Sequence, residues 1–209
     1  MHPIRTLVAA ALLGAGLAAA APAAAAAPRP VPTDPPADLT ITSLGISGQC
    51  GAAPKATLTP DRRAIFFEYP SFEVKQSGAG VTKKLCHLEV HLSYNKNLFR
   101  FSPARQATQA QMTLASGNQG RLQVDYGVVG GARTSKVEQR TGPFGEAVGS
   151  TSSGSQSGSG CGQLGVPLIE SQLQGAVPPG GSGSANVSMV NTQVGGFKQR
   201  LDLSWAFCG

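Results

Sequence analysis

KLCHLEVHLSY (Lys84–Tyr94) can be read as a helix or as a strand, and the two readings lead to different proteins. It holds two histidines, a glutamate between them and one of the four cysteines. On a helix, His87 and His91 would share a face at the i, i+4 spacing that zinc proteases use in H-E-x-x-H. Here the glutamate does not directly follow the first histidine. The run alternates instead: Cys86, Leu88, Val90 and Leu92 on one side, His87, Glu89 and His91 on the other. Period-two patterning is that of a strand with one buried face. Histidines four residues apart on such a strand lie ~13 Å apart, too far for one ion held at bonds of ~2 Å. The segment is a strand with a polar outer face and a cysteine on its inner face. No metal ligands are assigned.

The same period recurs along the chain. ATLTPDRRAIFFEY gives Leu58, a Pro60-Asp61 turn, then Ile65, Phe67 and Tyr69 alternating with Phe66 and Glu68, a hairpin signature. QAQMTL sets Ala110, Met112 and Leu114 against Gln109, Gln111 and Thr113. After the turn SGNQG, Leu122, Val124, Tyr126 and Val128 oppose Gln123 and Asp125. The last strand sets Leu201, Leu203, Trp205 and Phe207 opposite Arg200, Asp202 and Ser204. This places Trp205 in the core and leaves Cys208 out of phase with it. Many short strands with 27 glycines and 15 prolines for turns imply an all-β fold, an antiparallel β-sandwich, jelly-roll-like, with two disulfides.

Cys50, Cys86, Cys161 and Cys208 are 36, 75 and 47 positions apart, far from the C-x-x-C spacing of metal sites. Four cysteines allow three pairings, and spacing does not choose among them. The pairing adopted joins neighbours in order, Cys50–Cys86 and Cys161–Cys208. An even count suits an oxidising compartment. The N-terminus agrees: a short positive start, then TLVAAALLGAGLAAAAPAAAAA, an apolar run ending in Ala-x-Ala sites. This is the layout of a secretory signal peptide over residues 1–26, cut after Ala26 because Pro28 disfavours cleavage just before it. Pro22 and the weak hydrophobicity of alanine argue against a retained anchor. Residues 27–43 read as a Pro-rich spacer and 44–209 as one β-sandwich domain, with a Gly/Ser-rich loop at 149–160. No transmembrane segment is expected in the mature form. The protein is expected to be secreted, to the medium or the exterior of the cell envelope.

Without residues 1–26 the 17 basic residues fall to 16 against 11 acidic, a net charge of +5. That charge is spread thinly, without the dense basic runs and interleaved aromatics of nucleic-acid binders. It gives a mild bias toward an anionic cell-surface component or an extracellular protein as partner. No G-x-S-x-G elbow occurs, and the glycines sit in Ser-rich runs rather than in a phosphate loop. A serine–histidine–aspartate site would have to draw on His87 or His91. Carboxylate pairs for hydrolysis would come from Glu68, Glu73, Glu89, Asp125 or Glu170. No catalytic residue and no cofactor is assigned. Tyr69 and Tyr94 are the freer aromatics for a binding surface, and Asn186 in NVS formally matches a glycosylation acceptor.

The run GQCG (Gly48–Gly51), then LTPDRRAIFFEYPSFEV, KKLCHLEVHL, a later Cys161-Gly162 and the terminal WAFC resembles the secreted domain of unknown function 4360 family. The resemblance covers residues 48 to 208, matching all four cysteines and Trp205. The chain departs from that pattern at Gly51, where proline is usual, and lacks a Tyr-Arg-Gly-like segment near Arg105. The resemblance implies secretion and an all-β fold, and no activity. The reading is a secreted, disulfide-stabilised β-domain, a non-catalytic binding or cell-surface-associated protein. The alternatives are a secreted hydrolase using Asp and Glu residues, or a protease inhibitor.

Overall fold

A computed structural model describes residues 32–154, 158–189 and 199–208, so the expected signal peptide and its cleavage site lie outside the described residues. Every element among them is a strand, and they form two antiparallel sheets packed face to face. The first sheet runs β3(Lys55–Leu58)-β4(Ala64–Glu68)-β13(Gln199–Phe207)-β7(Phe99–Leu114)-β12(Ser184–Ser188)-β5(Glu73–Ser77). To it are added β1(Pro32–Thr33) on β13 and β10(Ala147–Ser153) on β7. The second runs β2(Thr40–Gly48)-β6(Gly80–Ser93)-β11(Pro167–Val177)-β8(Gln119–Val128)-β9(Arg133–Thr141). The fold is an all-β sandwich.

Strand β6 follows its sequence pattern closely. Cys86, Leu88, Val90 and Leu92 are buried, and His87, Glu89 and His91 are on the partly exposed face. Their inner row joins Ile65, Phe67, Met112, Leu122 and Val124 in one apolar core. The Leu58/Ile65 hairpin forms as β3–β4, closed by Thr59 and Asp61. At the end of β7 the turn has Gly117 at φ +78°, a backbone that side chains rarely adopt, and it carries the chain from the first sheet to the second. The structure joins Cys50 to Cys86 and Cys161 to Cys208.

Four sequence expectations change. Tyr69 and Tyr94 are buried, not free, because each hydroxyl finds a partner inside: Tyr69 donates to Gln199 and Tyr94 to Ser159. Burial also raises the Tyr69 hydroxyl's pKa far above its usual range. Phe207 is 59% exposed, beyond the core end of β13, where its ring lies 5.0 Å from that of Phe99. The Gly/Ser loop at 149–160 begins as strand, since β10 pairs with the edge of β7 from Gln111 to Arg105 and turns Val148 and Ser150 inward. Backbone pairing there compensates for side chains with little to bury. The spacer at 27–43 likewise includes β1 and the start of β2 at Thr40, with Leu39 already in the core.

A polar joint crosses the apolar seam. Gln199 of the first sheet donates through Nε2 to Ser171 of the second (2.9 Å) and to Thr108 (3.1 Å), and its carbonyl accepts from Tyr69. Thr108 donates on to Gln106 at 2.7 Å. Gln199→Leu leaves three buried groups short of a partner and is expected to cost roughly 2–3 kcal/mol in urea unfolding. Cys50→Ala with Cys86→Ala opens a loop of 36 residues. It is expected to cost about 3–4 kcal/mol in the same measurement.

Candidate functional site

The outer face of the five-stranded sheet carries the polar chemistry. Register places Glu170 of β11 between His87 of β6 and Asp125 of β8. The next row pairs Gln172 with Gln123, and the one after pairs Gln174 with Arg121. Alternation in β11 produces this pattern: Ile169, Ser171 and Leu173 are buried, whereas Glu170, Gln172 and Gln174 are partly exposed. No described element packs over these rows.

His87 sits between two carboxylates. Its Nε2 lies 3.0 Å from Glu89 Oε1 and its Nδ1 3.1 Å from Glu170 Oε2. The ring side chain is 19% exposed. A neutral imidazole has one proton, so one nitrogen would face a carboxylate oxygen without a hydrogen between them. The imidazolium donates to both. Partial burial works against the charged ring, and the two glutamates outweigh it, so the His87 pKa is raised above its usual value. Arg133 Nη1 approaches the same Glu170 oxygen at 3.7 Å. Along β8, Arg121 donates to Gln123 Oε1 at 2.8 Å, and Gln123 Nε2 donates to Asp125 Oδ2 at 3.1 Å. Two linked sets of side chains result, one around His87 and one along β8 from Arg121 to Asp125.

Of the carboxylates named from sequence, Glu89 and Glu170 come together around His87, and Asp125 is in register beside Glu170. Glu73 instead accepts from Lys75 at 3.3 Å, and Glu68 ends β4 opposite Lys55. Glycoside hydrolysis needs two free carboxyl groups flanking a scissile bond. Here the imidazole fills the space between Glu89 and Glu170 on an open sheet face. Among the described residues no group of three or more His, Cys, Asp or Glu is arranged to hold a metal ion. Asn186 is in mid-strand between β5 and β7, with its side-chain oxygen buried, rather than in a surface loop. Gln172, Gln174 and Arg133 escaped the sequence reading. Alternation in LIESQLQ was the available signal for the two glutamines, and nothing local pointed to Arg133.

The fold and the staples define a disulfide-bonded antiparallel β-sandwich with one polar, uncovered sheet face. The chain belongs to the family described as Domain of unknown function (DUF4360), whose model matches residues 37–208. No curated protein matches it. Among solved structures it is similar to TmCBM61 in complex with beta-1,4-galactotriose. That likeness has 11% identity over 80% of this chain and 90% of the other, with a TM-score of 0.32, and carries no weight for function. Two closed disulfides fit an extracytoplasmic compartment. No helix among the described residues is long and apolar enough to cross a membrane.

A group with a raised folded pKa contributes stability that is complete below its unfolded value, ~6.5, and lost as pH rises through the folded value. His87 is therefore expected to titrate above 6.5 by NMR, and stability to fall with rising pH across that interval. Glu170→Gln is expected to lower the His87 pKa and flatten that slope. An unshifted pKa in the wild type would contradict the clamp.

Proposed function

We propose that this is a secreted, non-catalytic binding domain whose ligand face is the outer side of the five-stranded sheet, and that the ligand is a hydroxyl-rich extracellular glycan. The observation that carries this is a set of donors and acceptors, Arg121, Gln123, Asp125 and Gln172, lying in register on an uncovered face, the first three held to one another by hydrogen bonds. Paired amides and carboxylates on a rigid scaffold offer donors and acceptors to vicinal hydroxyls at little ordering cost. Both signs of charge occur on the face, which favours hydrogen bonding over bulk attraction of a polyanion. Secretion is supported by the signal-like start and the two disulfides.

The test is retention of the exported protein on insoluble cell-wall and extracellular polysaccharides, followed by calorimetric titration with fragments of whichever one retains it. Gln123→Ala with Gln172→Ala is expected to weaken binding about tenfold, the loss of two neutral hydrogen bonds, with an unchanged melting temperature. Absence of retention on every polysaccharide, or equal binding by the double variant, would remove this reading.

A further inference from the structure

The other sheet has a pocket at its outer face, apart from the His87 face. At its end, β7 and β13 pair Ser102 with Ser204, Phe101 with Trp205 and Arg100 with Ala206. Phe101 and Trp205 turn into the core at about 1% exposure, which places Arg100, Ser102, Ser204 and Ala206 on the outer side. With Gly158, Ser159 and parts of Phe101 and Trp205 they line a pocket of about 140 Å³. A water occupies roughly 30 Å³ in the liquid, so this open pocket has room for a small polyatomic group together with a few waters.

The pocket wall is fixed. Ser159 N donates to the Phe101 carbonyl at 2.8 Å, and its hydroxyl accepts from Phe101 N at 3.1 Å and from Tyr94 at 3.2 Å. A Cβ on Gly158 would meet the Phe101 oxygen at 2.0 Å, so only glycine lets the wall lie flush against β7. Two residues beyond Ser159, Cys161 is bonded to Cys208, whose N donates to the Leu98 carbonyl at 2.9 Å. Hydrogen bonds and the disulfide set the shape before any ligand arrives.

The pocket wall carries no acidic counterpart for Arg100. Arg63, Arg133, Arg140 and Arg200 each meet a carboxylate, and Arg121 bonds Gln123. Arg100, half-buried, has no ion pair or side-chain hydrogen bond among the described residues; Arg62 and Arg105 share that state, but Arg100 alone of the three lines this pocket, which no acidic residue lines. A guanidinium beside two serine hydroxyls is a donor-rich set matched to a planar or tetrahedral oxyanion. We propose that the Arg100 pocket binds one oxyanionic group, with Arg100 as its charged partner and Ser102 and Ser204 as hydroxyl donors. The shared chemistry is a carboxylate or sulfate-type oxyanion, free or carried on an acidic polymer.

The exported, disulfide-intact protein, labelled with 15N, is titrated with sodium sulfate against sodium chloride at matched ionic strength, and separately with polygalacturonate. Saturable shifts of the Ser102, Gly158 and Ser204 amides are expected with sulfate. They should weaken at least tenfold in Arg100→Gln and also weaken in Ser102→Ala/Ser204→Ala. They should be unchanged in Arg105→Gln, whose arginine is exposed outside the pocket. Polygalacturonate shifting the same amides in competition with sulfate assigns a pendant group, and sulfate alone doing so assigns the free anion. No saturable shift with either probe, or equal losses in the Arg100 and Arg105 variants, overturns the proposal. Gln123→Ala with Gln172→Ala leaves this titration unchanged, so the glycan reading and this one fail separately.

Discussion

The two sheets meet across an apolar seam that is crossed by a small buried polar network centred on the Gln199 carboxamide. Gln199 bonds to Ser171 on the facing sheet, to Thr108 on its own and to the Tyr69 hydroxyl beneath the hairpin strands. Apolar side chains favour burial without dictating how one sheet slides over the other. A buried amide does dictate it, because any other alignment strands several polar groups in a low-dielectric interior. Both outer faces inherit their positions from that alignment. The His87 clamp lies one residue along each strand from Cys86 and Ser171, and the Arg100 pocket lies on the backs of Phe101 and Trp205.

The disulfides act at different places. Cys50–Cys86 fastens the chain leaving β2 to the middle of β6, inside the core. Cys161–Cys208 fastens the segment before β11 to the end of β13, at the rim. Near that rim Tyr94 packs edge-on to Phe101 and Trp205, which are tilted against each other, with ring centroids 5.2 to 6.0 Å apart. The second staple thus closes the end of the sandwich at which Arg100 lies.

Strand β6 and the β3–β4 hairpin were legible because strict alternation and a Pro-Asp turn are local signals. The tyrosines were misread because a hydroxyl suggests exposure until its buried partner is known, and Gln199 stands 130 residues from Tyr69. Strand β10 was hidden because Gly and Ser have little strand preference of their own, and the free edge of β7 supplies what their side chains do not. The His87 clamp was half legible. Glu89 lies two residues away on the same face, whereas Glu170 is 83 residues distant and reaches the ring only through β6–β11 pairing. Arg100 gave no signal at all, since an arginine looks the same whether or not an acid stands opposite it.

Strand β7 pairs with β10, β12 and β13, every one of which follows it in the chain. Strand β6 likewise waits for β11 on one side. A polypeptide delivered from its N-terminus therefore holds one edge of its longest strand open until β10 arrives, and part of the other until the final strand does. Such long-separation pairing slows folding and leaves hydrogen-bonding edges available to other chains in the meantime. Completion of the first sheet thus depends on the last strand of the chain, so the pairing of β7 is a property of the whole sequence rather than of any part of it.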